Sequence, residues 1–388
     1  MSLRELTSDF IYLPDGLVSG KSILMEEMSG EIIGIQDAGE QAEYFPGILC
    51  PGFINSHCHL ELSHLKGKIP PRTGMAGFIQ QLQSIRNETE IDPTDAANKA
   101  AELAFSKGVQ AIGDISNSLV TSTLKRTTNS SLPLFYTFLE VFGLNSMQAP
   151  AVFEAGLEKM RQFPNEAVSI TWHAPYSMSP ALMALLSEVS QKEAKVYSIH
   201  LLESQEELDL MEKRCGPMAE LFRQWGFDPL PEWMGKQSVT DFVLAQLPKG
   251  LKMLWVHAVH VQGKDIAKLT DHSPESAFCL CPLANQYIHG TLPPADLLWH
   301  SGAKVVLGTD SLAGNAVMDI GEELKLLSES FPQIPTSALL SWATGNGAEF
   351  FGWQNLGRFT KGAKPGVLQI FPLQQGRIFN GSLIQRIR

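Results

Sequence analysis

At 388 residues, 44% hydrophobic and 18% charged, the chain can bury a large core and is too apolar to stay disordered. Thirty Lys and Arg against 41 Asp and Glu give a net charge of −11, which repels phosphate backbones and anionic lipid and argues against nucleic-acid and membrane partners. Five cysteines without paired spacing argue against a disulfide framework, and MSLRELTSDF is neither a basic leader nor a membrane-spanning run, so a reducing, cytoplasmic setting is expected.

In chain order, residues 1–50 read as short strands broken by Gly and Pro, in FIYLPDG and KSILMEEMSGEIIGI. ILCPGFINSHCH follows as an apolar run ending in polar residues. DPTDAANKAAELAFSKG then has an Asp N-cap, apolar residues at helical spacing and a Gly stop, and it leads into VQAIGDI as a βα unit. LPLFYTFLEVFG, VSITWHAPY, KVYSIHLLE, LKMLWVHAVH, SAFCLCPLAN and AKVVLGTDS repeat the pattern, each divided from the next by a helix-capable stretch. Eight such runs, apolar through most of their length, predict an α/β fold of the (β/α)8 TIM-barrel type, with strands covered on both faces. An open doubly wound sheet would want a Gly-rich phosphate turn after its first strand, and GxGxxG is absent there.

The tail GVLQIFPLQQGRIFNGSLI has the same strand-and-turn texture as the start. Neither end buries enough surface alone, which predicts one small β-sandwich domain from 1–50 and 356–388 beside a barrel of 51–355. The stretch 203–250 is long for a βα connection, and its aromatics suggest a lid or pocket wall.

His57 and His59 lie two apart at the end of an apolar run, and the period of two along a strand puts both imidazoles on one face. Such a pair is weak evidence by itself. His200, His257 and Asp310 also end apolar runs, in VYSIH, MLWVH and VVLGTD, and in a parallel barrel those ends converge on the face that carries active sites. Imidazoles and a carboxylate suit a divalent ion, zinc first with iron or manganese as alternatives, so His57, His59, His200 and Asp310 are the predicted ligands of one such ion. Glu203, three residues beyond His200, can lean over that site as a proton shuttle, whereas Glu206, Glu207 and Asp209 behind it read as a solvated acidic run. His173 ends the fourth strand and is expected to offer the substrate a hydrogen bond. His64, His260, His272, His289 and His300 lie off the strand ends and read as surface or supporting residues, and Cys58 points away from its two neighbours as a packed thiol.

Cytidine-type zinc deaminases need a His-x-Glu and a later Pro-Cys-x-x-Cys, where this chain offers only Cys279-Leu280-Cys281-Pro282, and it has no Gly-x-Ser-x-Gly elbow or Walker loop. The motifs resemble those of the amidohydrolase superfamily, and within it the single-metal deaminases of adenine-type and related compounds. His57-Cys58-His59, HAPYSMSP, IHLLES, VHAVH, CPLAN and GTDSLAGN occur in that family's order over nearly the whole chain. The resemblance implies a metal-dependent barrel, ligand roles for His57, His59, His200 and Asp310, and a water-orienting role for His257. The chain departs from it at Ala284, where the family often has Ser before Asn, and in KGAKPGVLQI, which lacks the usual Ala-Asp-Leu. No Lys ends the fourth strand, which implies one metal rather than two. HCHLELSHLKGKIPPRTG and FLEVFG are similar to aminodeoxyfutalosine deaminases, enzymes of the futalosine route to menaquinone.

On that resemblance the expected reaction releases ammonia from an adenine-type nucleoside, best fitted by 6-amino-6-deoxyfutalosine. Glu203 would act as acid and base in turn, and His257 and Asp310 would handle the proton of the attacking water. Adenosylhomocysteine, methylthioadenosine, guanine and cytosine are alternative substrates. A chlorohydrolase would keep the metal and Glu203 with a different leaving group, and a non-catalytic metal-binding protein would have no use for Glu203. Glu61 and Glu140 would read ribose hydroxyls or a ring N–H, or serve as structural acids. A distal carboxylate would want a cation, and KGKIPPRTG offers Lys66, Lys68 and Arg72; the planar fork of Arg72 makes it the expected partner, against a merely solvent-facing loop. The partner is thus a small nucleoside-like molecule, and homo-oligomerisation stays open.

Overall fold

The computed structural model describes residues 2–87, 90–126, 131–163 and 167–388. Five strands open the chain, β1 (Leu3–Leu13), β2 (Gly16–Val18), β3 (Lys21–Glu26), β4 (Ile32–Asp37) and β5 (Glu43–Pro51). Eight follow with helices between them: β6 (Phe53–Cys58), β7 (Val109–Ser116), β8 (Leu134–Val141), β9 (Val168–Trp172), β10 (Val196–Leu201), β11 (Lys252–His257), β12 (Ala277–Leu280) and β13 (Val305–Leu307). β14 (Val367–Phe371) and β15 (Leu383–Arg386) end the fold.

β6 to β13 are the eight apolar runs of the sequence, paired in parallel within two sets, β6-β7-β8-β9 and β10-β11-β12-β13. Two seams close them into a (β/α)8 barrel. Between β9 and β10, side-chain hydroxyls do part of the work of a backbone ladder: Ser169 and Thr171 donate to the carbonyls of Val196 (2.8 Å) and Ser198 (2.7 Å), and Ser198 N donates back to Thr171 Oγ1 (2.7 Å). Between β13 and β6, His57 O accepts from the amides of Thr309 (2.9 Å) and Asp310 (3.1 Å). The Asn55 side chain brackets Thr309, donating to its Oγ1 at 2.8 Å and accepting from its N at 3.2 Å. This seam joins His57 to Asp310, so barrel closure itself sets the spacing of those two residues.

The helix expected after residue 91 runs Pro93–Ser106, with Asp92 accepting from Thr94 N at 2.8 Å and Pro at its start. Its buried face is Ala97, Ala100, Ala101 and Ala104, small residues that let it lie close to the barrel. The chain then turns at Gly108, whose φ of 101° suits glycine. Both chain ends share one sheet of order β15-β14-β5-β1-β3-β4, with β2 on β1 and Val367 opposite Pro51. Leu6, Ile11, Ile23, Met25, Ile32 and Leu49 are the core of that sheet. No helix among the described residues is long and apolar enough to cross a membrane.

Candidate active site

His57 is the last residue but one of β6 with His59 just beyond the strand, His200 is the last but one of β10, His257 ends β11, and Asp310 follows β13. One ring nitrogen from each of His57, His59 and His200 lies within 4.8 Å of the others. Asp310 Oδ1 is 3.8 Å from His57 Nε2 and 3.5 Å from His59 Nε2. An ion about 2 Å from each of four tetrahedral donors imposes separations of roughly 3.3–3.5 Å, so the set is of the right size. Its chemistry fits as well. Both His57 ring nitrogens and His59 Nδ1 are buried without a hydrogen-bond partner among the described residues. Burial and the neighbouring imidazoles hold His57 well below its ordinary pKa and His59 at about 3, so both rings are neutral with lone pairs free. Burial, then the charge of Glu203, drives the Asp310 carboxyl up to about 7, a site that wants a positive neighbour. The four side chains can hold a divalent cation.

A further layer fixes His200. Its Nδ1 donates to His173 O at 2.9 Å with Glu140 Oε1 at 3.3 Å, which leaves Nε2 as the ring nitrogen available to a cation. Burial lowers His200, but the Glu140 hydrogen bond together with the charges of Glu140, Glu203 and Asp310 outweighs it and carries the ring to about 9. Burial likewise raises Glu140, and the His173 and His200 rings pull it down to about 2. Asn117 Nδ2 donates to Glu140 Oε2 at 3.1 Å, and His173 Nε2 lies 4.0 Å from the same oxygen. His173 Nδ1 is 2.5 Å from Ser177 Oγ, so its ring is held on both sides.

Glu203 Oε1 is 3.5 Å from His257 Nε2. Burial raises the Glu203 carboxyl, yet the rings of His257 and His289 outweigh it and hold it ionised, at about 2. Asn285 Nδ2 lies 3.1 Å from His257 Nδ1; donating there, it leaves the ring proton on Nε2, facing Glu203. The backbone around these groups is strained: Leu202, His257, Ala258 and Asp310 all have positive φ, between 50° and 72°.

The acidic run behind Glu203 is only partly solvated. Glu207 is fully buried and accepts from the amides of Glu203 (2.8 Å) and Leu202 (3.3 Å). Glu206 Oε2 accepts from Ala76 N at 2.8 Å, at the start of the helix Gly74–Ile85. Asp209 pairs with Lys213 at 2.8 Å near the surface, as a solvated acid should. The sequence carried a sign of this: Ser204 caps the helix Gln205–Lys213, accepting from Glu207 N at 3.0 Å, and the Ser-x-x-Glu pattern turns Glu207 inward.

A cavity of about 300 Å³ opens above these residues, with His59, His200, Glu203, His257 and Asp310 in its lining. Phe222 and Trp225, from the 203–250 stretch, form part of its wall, and the helix Gly74–Ile85 with Arg86 forms another part. His173 and Glu140 also line it. Two expected substrate contacts lie elsewhere. Arg72 is exposed and outside the cavity lining: its φ of 65° turns the loop so that its N–H donates to Tyr287 O at 2.7 Å, and its guanidinium packs on Gly290, where a Cβ would collide with it. Glu61 is buried and occupied by Asn117 N (3.0 Å), Ser118 N (2.9 Å) and Ser118 Oγ (2.5 Å), anchoring the loop that presents Asn117 to the cavity. Arg86 and Asn117 on the wall, and His289 beside Glu203, were not marked by their sequence positions.

A parallel barrel that gathers imidazoles and carboxylates at the C-terminal ends of its strands is the build of a barrel hydrolase. The chain belongs to the amidohydrolase family, whose sequence model matches residues 48–373, and is an enzyme of that superfamily. It is 28% identical over 288 residues to an aminodeoxyfutalosine deaminase of Nitratiruptor, spanning 72% of this chain and 67% of that one. It is 25% identical over 319 residues to an aminodeoxyfutalosine deaminase of Deinococcus radiodurans (79% and 73%), and 23% identical over 322 residues to an adenosine deaminase of Helicobacter pylori (81% and 77%). In fold it is similar to aminofutalosine deaminase of Helicobacter pylori in complex with methylthio-coformycin, with a TM-score of 0.77, 21% identity and coverage of 96% of this chain and 93% of that one. It is similar also to atrazine chlorohydrolase of Arthrobacter aurescens complexed with zinc (0.71, 16%, 95% and 86%).

Proposed function

We propose that the chain is a hydrolytic deaminase of an adenine-type nucleoside, with 6-amino-6-deoxyfutalosine as the best-fitting substrate. The observation that carries this reading is the gathering of His57, His59, His200, Asp310 and Glu203 beside one aromatic-walled cavity. The two relatives named as aminodeoxyfutalosine deaminases support the narrower substrate.

In this reading His57, His59, His200 and Asp310 hold one divalent cation, zinc first, which when bound supplies the Lewis-acid chemistry that makes water nucleophilic near neutral pH. Glu203, kept ionised by its two imidazole neighbours, takes a proton from the attacking water and passes it to the ring nitrogen beside the amino-bearing carbon. A second proton delivered to the amino group lets the C–N bond break, the nitrogen leaving as ammonia while the carbon becomes a carbonyl. His257, 3.5 Å from Glu203, orients the water and the carboxylate together. His173 and Asn117, both on the cavity wall, meet the polar edge of the nucleoside, and Glu140 holds His200 and Asn117 in place.

Ammonia release from adenosine, methylthioadenosine, adenosylhomocysteine, guanine, cytosine and 6-amino-6-deoxyfutalosine tests the reading. The highest kcat/KM is expected on 6-amino-6-deoxyfutalosine. Turnover of guanine or cytosine alone would overturn the adenine-type assignment, and chloride release from a chlorotriazine without any ammonia release would overturn deamination itself.

A further inference from the structure

Arg86 follows the helix Gly74–Ile85, its N–H closing the last turn on Leu82 O at 2.8 Å. Its side chain lines the cavity, close enough to His173 for its charge to bear on that ring. Among the described residues the Arg86 guanidinium has no hydrogen bond and no salt bridge. Apart from Arg72, every other arginine there donates to a carboxylate, a hydroxyl or a carbonyl. No other lysine or arginine of the described residues lines the cavity. In a chain of net charge −11, with Glu140, Glu203 and Asp310 around the same cavity, a half-buried guanidinium left unpaired stands out.

We infer that Arg86 receives a carboxylate at the end of the substrate remote from its amino group, carried on an aryl or similarly apolar body. The inference rests on the deaminase reading for the other end of the same molecule. The walls that such a body would meet are Phe78, Leu82, Phe142, Phe222 and Trp225. A lone planar fork matches a singly charged planar carboxylate through two parallel hydrogen bonds, whereas a phosphate dianion would want a second cation, and the lining supplies none. Met, Leu or Gln at position 86 would keep much of the apolar stem's packing and lose the fork.

The test compares wild type with Arg86→Met on 6-amino-6-deoxyfutalosine and on the uncharged 5′-methylthioadenosine. The ratio of kcat/KM for the carboxylated over the neutral nucleoside should fall by roughly 10- to 100-fold, through KM, with Arg86→Lys restoring part of it. Arg72→Met should leave that ratio as it is in wild type. Benzoate serves as a second probe, by calorimetric titration: it should bind wild type and not Arg86→Met, while inorganic phosphate binds neither. A ratio unchanged in Arg86→Met, or benzoate bound equally by both proteins, overturns the inference. Phosphate binding in place of benzoate overturns the carboxylate assignment. If wild type deaminates neither nucleoside, the deaminase reading fails, and the benzoate arm still decides Arg86. Should Arg86→Met not fold, Arg86→Gln and Arg86→Lys carry the same comparisons.

Discussion

His289 Nε2 lies 3.6 Å from Glu203 Oε1, and that buried nitrogen has no hydrogen-bond partner among the described residues. Together with His257 on the same oxygen, it keeps Glu203 a carboxylate, able to take the first proton of the reaction. Glu203→Gln should therefore lower kcat by roughly 10²- to 10⁴-fold, the usual worth of a general acid–base group, while metal content stays at wild-type level because Glu203 lies outside the proposed ligand set. His289→Asn, acting only through Glu203, should lower kcat by about tenfold with KM little changed, the equivalent of about one pK unit less stabilisation of the carboxylate. Ammonia-release kinetics with elemental analysis of the same samples checks both. Loss of metal from Glu203→Gln would make it a ligand, and wild-type kcat in His289→Asn would leave Glu203 to His257 alone.

One divalent ion per chain is the expected metal content, since the donors converge on one point and no lysine ends β9. His57→Ala and Asp310→Asn should each lose the metal and the activity. Two tightly bound equivalents in the elemental analysis, or full turnover after prolonged chelation, would contradict the single centre.

Beneath His59 lies a buried ion pair that no motif announced. Lys125 Nζ is 2.6 Å from Asp114 Oδ2, with the two side chains 3% and 0% exposed. Asp114 Oδ1 accepts from Leu60 N at 2.9 Å, and its other oxygen meets Ser116 and Thr121 hydroxyls at 3.1 and 3.2 Å. The pair thus holds the backbone just after His59. Lys125→Met leaves Asp114 as an uncompensated buried charge and should cost about 3–5 kcal/mol in a denaturant-unfolding experiment. A change under 1 kcal/mol would mean that Asp114 is satisfied by its hydroxyl and amide donors.

The strand-end residues were legible because the barrel turns sequence position into spatial convergence. Once His57, His200, His257 and Asp310 each end an apolar run, parallel closure brings them together without any knowledge of the loops. Arg86, Asn117 and His289 lie on a helix end or in loops whose paths depend on tertiary packing, so no periodicity points to them. Arg72 shows the converse error: nearness to His59 in sequence suggested nearness in space, but the loop bends to Tyr287 and Gly290 instead. Glu207 was misread because Glu206-Glu207 looks like surface charge, although the Ser204 cap already fixed which way it faces.

Glu207 also gives stability a pH dependence whose sign can be worked out. Burial pushes its carboxyl from an ordinary 4.5 to about 8. Between those values the folded chain keeps a proton that the unfolded chain releases, so folding binds protons and stability falls as pH rises through that window. The contribution is complete below about pH 4.5 and lost above about pH 8. Glu207→Gln cannot titrate, and its NH2 group would confront one of the two amides that Glu207 now accepts. The variant should accordingly be less stable than wild type at pH 5, by about 1–3 kcal/mol for an unsatisfied buried donor. That deficit should shrink as pH rises and turn into an advantage for the variant before pH 8, because wild type loses about 1.4 kcal/mol per pH unit across the window and the variant does not. Unfolding free energies of both proteins at half-unit pH steps check this, and a deficit that stays constant across the range would mean that Glu207 does not titrate there.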